Sequence, residues 1–96
     1  MASIKKQGRV VHLKREPFDV DITRSGVWGN PFIIGVDGTR AKVIQLHRAW
    51  FLTNPEMVQR AKRELRGKVL GCWCKPKKCH GDILVEVANA NTTFFE

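Results

Sequence analysis

Tyrosine is absent, and acid is scarce: nine Asp and Glu stand against 17 Lys and Arg. The formal charge is +8 and the sequence pI about 9.9. A surplus of that size favours anionic partners. Cysteine is also scarce and odd in number, at three, which argues against a disulfide framework. No apolar run approaches the ~20 residues needed to span a bilayer. The opening Met1-Ala2-Ser3-Ile4-Lys5-Lys6 is basic but has no apolar stretch behind it. No secretory signal is therefore expected, and the expected setting is the cytoplasm, where thiols stay reduced. Repeats and low-complexity tracts are lacking. At 96 residues the chain has room for one domain and one modest core. Its 43% hydrophobic and 27% charged content excludes a wholly disordered chain.

Basic charge is concentrated in two places. Residues 1–16 hold five basic and one acidic side chain, and residues 41–70 hold seven and two. The densest cluster is Arg60, Lys62, Arg63, Arg66 and Lys68. It suits either phosphate contacts or a solvated helix face.

The local patterns predict an α/β domain over residues 9–90, between a flexible basic arm at 1–8 and a C-terminal tail at 91–96. Arg9-Val10-Val11-His12-Leu13 is β-branched and reads as a strand, and Phe18-Asp19-Val20-Asp21-Ile22 alternates as a second. Residues 23–38, with four glycines and a proline, predict a long loop with a short strand at Phe32-Ile33-Ile34. Thr39 is suited to cap a helix whose stripe is Val43, Ile44, Leu46, His47, Trp50 and Phe51. Asn54-Pro55 should open a second helix, with Met57, Val58, Ala61 and Leu65 inward and Gly67 as the stop. Residues 68–74 read as a strand and Lys75-Pro76-Lys77-Lys78 as a turn. A last helix is expected from Cys79, although Ile83, Val85 and Val87 also alternate as a strand would. The expected architecture is a small single-domain sandwich with about three helices on a three- or four-stranded mixed sheet.

Two segments are not accounted for by such a fold. In the first, Arg24-Ser25-Gly26-Val27-Trp28-Gly29-Asn30-Pro31-Phe32, Trp28 offers a flat apolar plate, Asn30 an amide, and Arg24 a planar cation. Gly29 would let a ligand approach the backbone. A nucleobase with a phosphate needs such groups. The plainer alternative is that Trp28 and Phe32 fold back into the core.

The second segment is Cys72-Trp73-Cys74-Lys75-Pro76-Lys77-Lys78-Cys79-His80-Gly81-Asp82. On a strand, Cys72 and Cys74 share a face, and the turn can return Cys79 beside them. With His80 they supply four zinc ligands, although the spacing lacks a second close pair. Alternatively Cys79 caps the last helix, and its amides, with Lys77 and Lys78, lower the thiol pKa. Cys79 would then be a nucleophile, His80 its base and Asp82 the orienting carboxylate. The same helix start at Gly81 could hold a phosphate without chemistry. Buried, inert cysteines remain the bland reading, best suited to Cys72. His47 reads as a packed, hydrogen-bonded core histidine, and Asp19 and Asp21 as solvent-facing.

Taken together, Trp28-Gly29-Asn30-Pro31-Phe32, Ile34-Gly35-x-Asp37-Gly38, Arg48-x-Trp50-Phe51-Leu52, Leu65-x-Gly67-Lys68-x-Leu70 and the Cys72–Asp82 segment resemble one family. It is the small family of bacteria, archaea and their phages catalogued as domain of unknown function 4326. The resemblance spans residues 9–89. Val27 departs from the polar or basic residue expected of relatives. The resemblance implies no reaction. It implies that the two segments form a shared site in a phage or microbial cytoplasmic protein.

The expected function is a binding module for a nucleotide-like small molecule or nucleic acid. Trp28 and Trp73 would stack on a base and Asn30 would read its edge. Arg24, Lys77, Lys78 and the amides near Gly81 would hold phosphate. The alternatives are an enzyme using Cys79, His80 and Asp82 on a nucleotide-like substrate, and a zinc-stabilised interaction module built on Cys72, Cys74, Cys79 and His80. A domain of this size can enlarge its core by forming a homo-oligomer.

Overall fold

A computed structural model describes residues 8–24 and 26–90. The expected arm and tail therefore lie almost wholly outside the described residues. Strand β1 is Arg9–His12, β2 is Val20–Asp21 and β3 is Val69–Cys72; helices α1, α2 and α3 are Arg40–Leu52, Pro55–Glu64 and Gly81–Asn89. The fold is the expected α/β domain with three helices. Its sheet has three strands in the order β1-β3-β2. Both pairings are parallel, Arg9 opposite Val69 through His12 opposite Cys72, and Val20 opposite Leu70. The sheet is thus parallel rather than mixed, and the strand expected at Phe32–Ile34 shrinks to a single bridge between Ile34 and Gly38.

Parallel pairing requires crossovers. Between β2 and β3 the crossover is α1 and α2. Between β1 and β2 it is residues 13–19, which pass from one side of β3 to the other. Phe18 lies over Gly71 during that passage, and a Cβ at Gly71 would sit 2.7 Å from the Phe18 ring. Glycine is therefore required at this close approach. Asp19 finishes the crossover. Its amide donates to the Val69 carbonyl at 2.7 Å, and its carboxylate accepts from the Val69 amide at 2.8 Å. Every residue of β3 is buried, as expected of a central parallel strand.

The helices start and stop where local chemistry dictates. Thr39 Oγ1 accepts from the Lys42 amide and Asn54 Oδ1 from the Met57 amide, so both helices carry side-chain N-caps. Gly67 follows α2 at φ +74°, the left-handed conformation that ends helices. Val43, His47 and Phe51 are the buried stripe of α1, and Val58 and Ala61 that of α2. Residues 81–89 form a helix rather than the rival strand, because Ile83, Leu84, Val87 and Ala88 together supply one buried helical face. Helix α3 packs on β1, β3 and α2, and α2 packs on α1. Arg66 ties this layer down by donating to the Ala88 and Ala90 carbonyls at the end of α3. Among the described residues, no helix is long and apolar enough to cross a membrane.

Candidate functional site

Ligands of parallel α/β sheets collect at the carboxyl ends of the strands. At that edge, β2 runs into Thr23 and Arg24, and β3 runs into Cys72, Trp73 and Cys74. A cleft of about 200 Å³ opens there. Phe32 and Ile34 of the long loop and Val43 and Ile44 of α1 form an apolar wall. Arg24, Arg40 and Lys78 supply its cations, and Cys72, Cys74 and Cys79 line it as well. The two sequence segments that the fold alone did not require thus meet across one cleft.

The loop residues divide sharply by role. Arg24 lines the cleft. Trp28 does not offer a stacking plate: it is 5% exposed within the core, with the Arg60 guanidinium 5.5 Å from its ring centre. Burial of a large apolar ring outweighs anything an exposed base could return. Asn30 reaches the cleft wall, but its amide is committed within the fold. Nδ2 donates to the Val43 carbonyl at 3.2 Å, and Oδ1 accepts from the Phe32 amide at 2.9 Å. Asn30 therefore joins the loop to α1 rather than reading a base. Gly29 serves packing, because a Cβ there would lie 2.6 Å from the Arg24 Cα.

The cysteine segment divides between the cleft and the fold. Trp73 is 55% exposed at the cleft edge, in edge contact with His12 and beneath the Lys14 ammonium. It is the one tryptophan free to meet a flat ligand. Lys78 lines the cleft, whereas Lys77 is exposed outside it. Gly81 is buried, and a Cβ there would lie 2.6 Å from Ile22 Cδ1 and 3.0 Å from Val10 Cγ2, so those side chains would have to give way. Its amide donates to Cys79 Sγ at 3.3 Å.

The three sulfurs lie within 4.8 Å of one another, and this cluster could hold a metal such as zinc. Cys72 Sγ and Cys79 Sγ are 3.2 Å apart. One proton shared between them draws Cys72 down to about 6, with help from the amides of Cys74 and Lys75. The same sharing, together with burial, pushes Cys79 up. The two thiols therefore share one proton and titrate as a pair, which sets Cys79 apart from the independently ionised thiol that its helix-start position suggested.

His80 is not grouped with the sulfurs. Its Nε2 lies 2.9 Å from the Ile22 carbonyl. Burial lowers its pKa, although that carbonyl opposes the shift. The Asp82 carboxylate holds Lys75 Nζ at 2.9 Å and the Cys79 amide at 3.3 Å, and Lys75 is raised by that partner. The expected relay from Cys79 through His80 to Asp82 is not assembled. His47 is buried as expected, but its Nδ1 has no hydrogen-bond partner. Burial, and then His80 with its ring 5.1 Å away, lower it to about 3. Hydrogen bonds from the Thr23 side chain and then its amide lower the Asp21 pKa, and the amide bond at 2.7 Å makes Asp21 a turn residue.

Arg40 and the α1 wall escaped sequence reading. The only signal was position: Arg40 is the first residue after the Thr39 cap, and a helix's first turn faces whatever lies at the sheet's carboxyl edge.

No solved structure matches the chain. The "Uncharacterized 12.4 kDa protein in nrdA-td intergenic region" of Enterobacteria phage T4 is 39% identical over 92 residues, covering 92% of this chain and 83% of that protein. The family model described as Domain of unknown function (DUF4326) matches residues 5–90, a span that takes in both walls of the cleft and all three cysteines, and the chain belongs to that family.

Proposed function

We propose that the protein binds a small phosphate-bearing, nucleotide-like ligand in the cleft between the 24–34 loop and the 72–80 turn. One observation carries the reading. Three cations, Arg24, Arg40 and Lys78, line a partly apolar cleft to which, among the described residues, no Asp or Glu contributes. Guanidinium groups suit a phosphate, and the Phe32, Ile34 and Trp73 surfaces suit a flat apolar group beside it. At about 200 Å³ the cleft is smaller than a site that encloses a whole drug-sized ligand, so it would take the phosphate and part of the flat group beside it, and not a run of polymer.

The alternative of a nucleic-acid track along α2 has weaker support. Arg60 is paired with Glu64 and packed on Trp28, and Arg66 is spent on the end of α3. The cysteine-enzyme alternative is also less well supported, since the His80 ring faces a carbonyl instead of Cys79. A second reading, zinc on the cysteines, is favoured by their proximity.

Calorimetric titration with nucleoside monophosphates, unphosphorylated nucleosides and a short oligonucleotide tests the proposal. The monophosphate should bind, and Arg40→Ala and Lys78→Ala should each weaken it by about tenfold, the scale of one charge-assisted hydrogen bond. Tighter binding of the oligonucleotide, unaffected by either change, would contradict the cleft reading.

A further inference from the structure

The geometry points to a three-thiolate site for a divalent zinc-class metal on Cys72, Cys74 and Cys79, with its fourth coordination position open to the cleft. The sulfurs are close to what such an ion requires. Zinc–sulfur bonds of about 2.3 Å place tetrahedral sulfurs about 3.8 Å apart. The present spread of up to 4.8 Å, with the Cys72–Cys79 pair at 3.2 Å, brackets that value.

A second observation is independent of the distances. A backbone amide is aimed at the cluster: that of Gly81 donates to Cys79 Sγ at 3.3 Å, and the amides of Cys74 and Lys75 favour the thiolate form of Cys72 in the same sense. Amide donors stabilise anionic sulfur and act as the outer partners of metal-bound thiolates. A neutral, inert thiol has little use for them. Three thiolates on a divalent ion leave one net negative charge. Lys75, which senses both Cys72 and Cys79, lies beside it.

The open position follows from who is missing. His80, the fourth donor by sequence, directs Nε2 at the Ile22 carbonyl. Asp82 is held by Lys75 and the Cys79 amide. Among the described residues the cluster comprises three ligands only. All three line the cleft, so water or an oxygen of the ligand completes the tetrahedron from that side. Three protein ligands with one exchangeable position is the arrangement of reactive zinc, whereas structural zinc has four. That the ligand supplies the fourth donor rests on the cleft reading above; the metal site itself does not.

The test uses the full chain purified under reducing conditions, with no nucleotide added. Native mass spectrometry should show one zinc per chain. Cys72→Ser, Cys74→Ser and Cys79→Ser should each lower zinc affinity by more than about tenfold, and His80→Gln should retain it. Because a cysteine variant can misfold, the wild-type protein is also loaded with Co(II). Thiolate-to-cobalt charge-transfer bands should appear, and inorganic phosphate should shift the ligand-field bands of the open site. Absence of stoichiometric metal together with absence of those bands would overturn the site. Loss of metal in a folded His80→Gln, with ligand-field bands indifferent to phosphate, would overturn the open position. Either failure would leave the calorimetric test of the cleft standing.

Discussion

At the scale of single residues, the chain divides its aromatic and ionisable groups between packing and the cleft. Trp28 belongs to packing, so Trp28→Ala should cost about 3–5 kcal/mol of unfolding free energy. Arg24→Ala should instead leave stability nearly unchanged while weakening ligand binding. Chemical denaturation and calorimetry on the two variants separate these roles. His47 carries a second prediction. Between about pH 3 and 6.5 the unfolded chain binds a proton at His47 that the folded chain refuses. Acidification through that window therefore removes stability, by at most about 1.4 kcal/mol per pH unit for this group. His47→Leu also removes the unpartnered Nδ1, so the variant should lose less stability than the wild type between pH 7 and pH 5. Thermal unfolding at the two pH values would show it, and an unchanged acid dependence would refute it. The fates of Trp28 and Asn30 mark the limit of sequence reading at this scale. A loop rich in glycine, with an aromatic and an amide, looks the same whether those groups face a ligand or lock the loop to its helix. Only the position of Val43 and Arg60 decides.

At the scale of elements, most of the fold was legible. The Thr39 and Asn54-Pro55 signals opened α1 and α2, and Gly67 closed α2, because caps and stops are local chemistry. The direction of the sheet was not legible. A seven-residue link such as 13–19 ordinarily suggests an antiparallel neighbour, yet here it crosses β3. The crossing depends on a contact between residues far apart in the chain, Phe18 on Gly71. Gly71→Ala should accordingly destabilise the protein by about 1–3 kcal/mol through overpacking. Adding Phe18→Leu should restore part of that loss, as a double-mutant cycle in urea would measure. Additive losses would mean that Phe18 does not occupy the crossing. The last helix was legible only as one of two choices. Its burial pattern, and the Arg66 and Asn89 hydrogen bonds at its end, come from tertiary packing.

At the scale of the whole molecule, the +8 charge is unevenly used. Part of it serves the fold, as where Arg60 packs on Trp28 and Arg66 bonds the end of α3, and part of it lines the cleft. Exposed cations that meet a phosphate are screened by salt. Affinity for a nucleoside monophosphate should therefore fall as salt rises from 50 to 500 mM, without loss of folded structure by circular dichroism. That the two distant segments lie together was foreseeable from the family resemblance rather than from their residues, because Trp28, Gly29 and Asn30 serve packing. Which groups face inward was not, since α1 contributes Arg40 and Ile44 from a third segment. The central claim is that one cleft, at the carboxyl edge of β2 and β3, receives the ligand. Its most direct measurement is a heteronuclear NMR titration of the full chain with a nucleoside monophosphate. The account predicts amide shifts concentrated at Arg24, Ile34, Arg40, Cys74, Lys78 and Gly81. Shifts confined to the exposed face of α2, around Lys62 and Arg63, or none at saturating ligand, would contradict it.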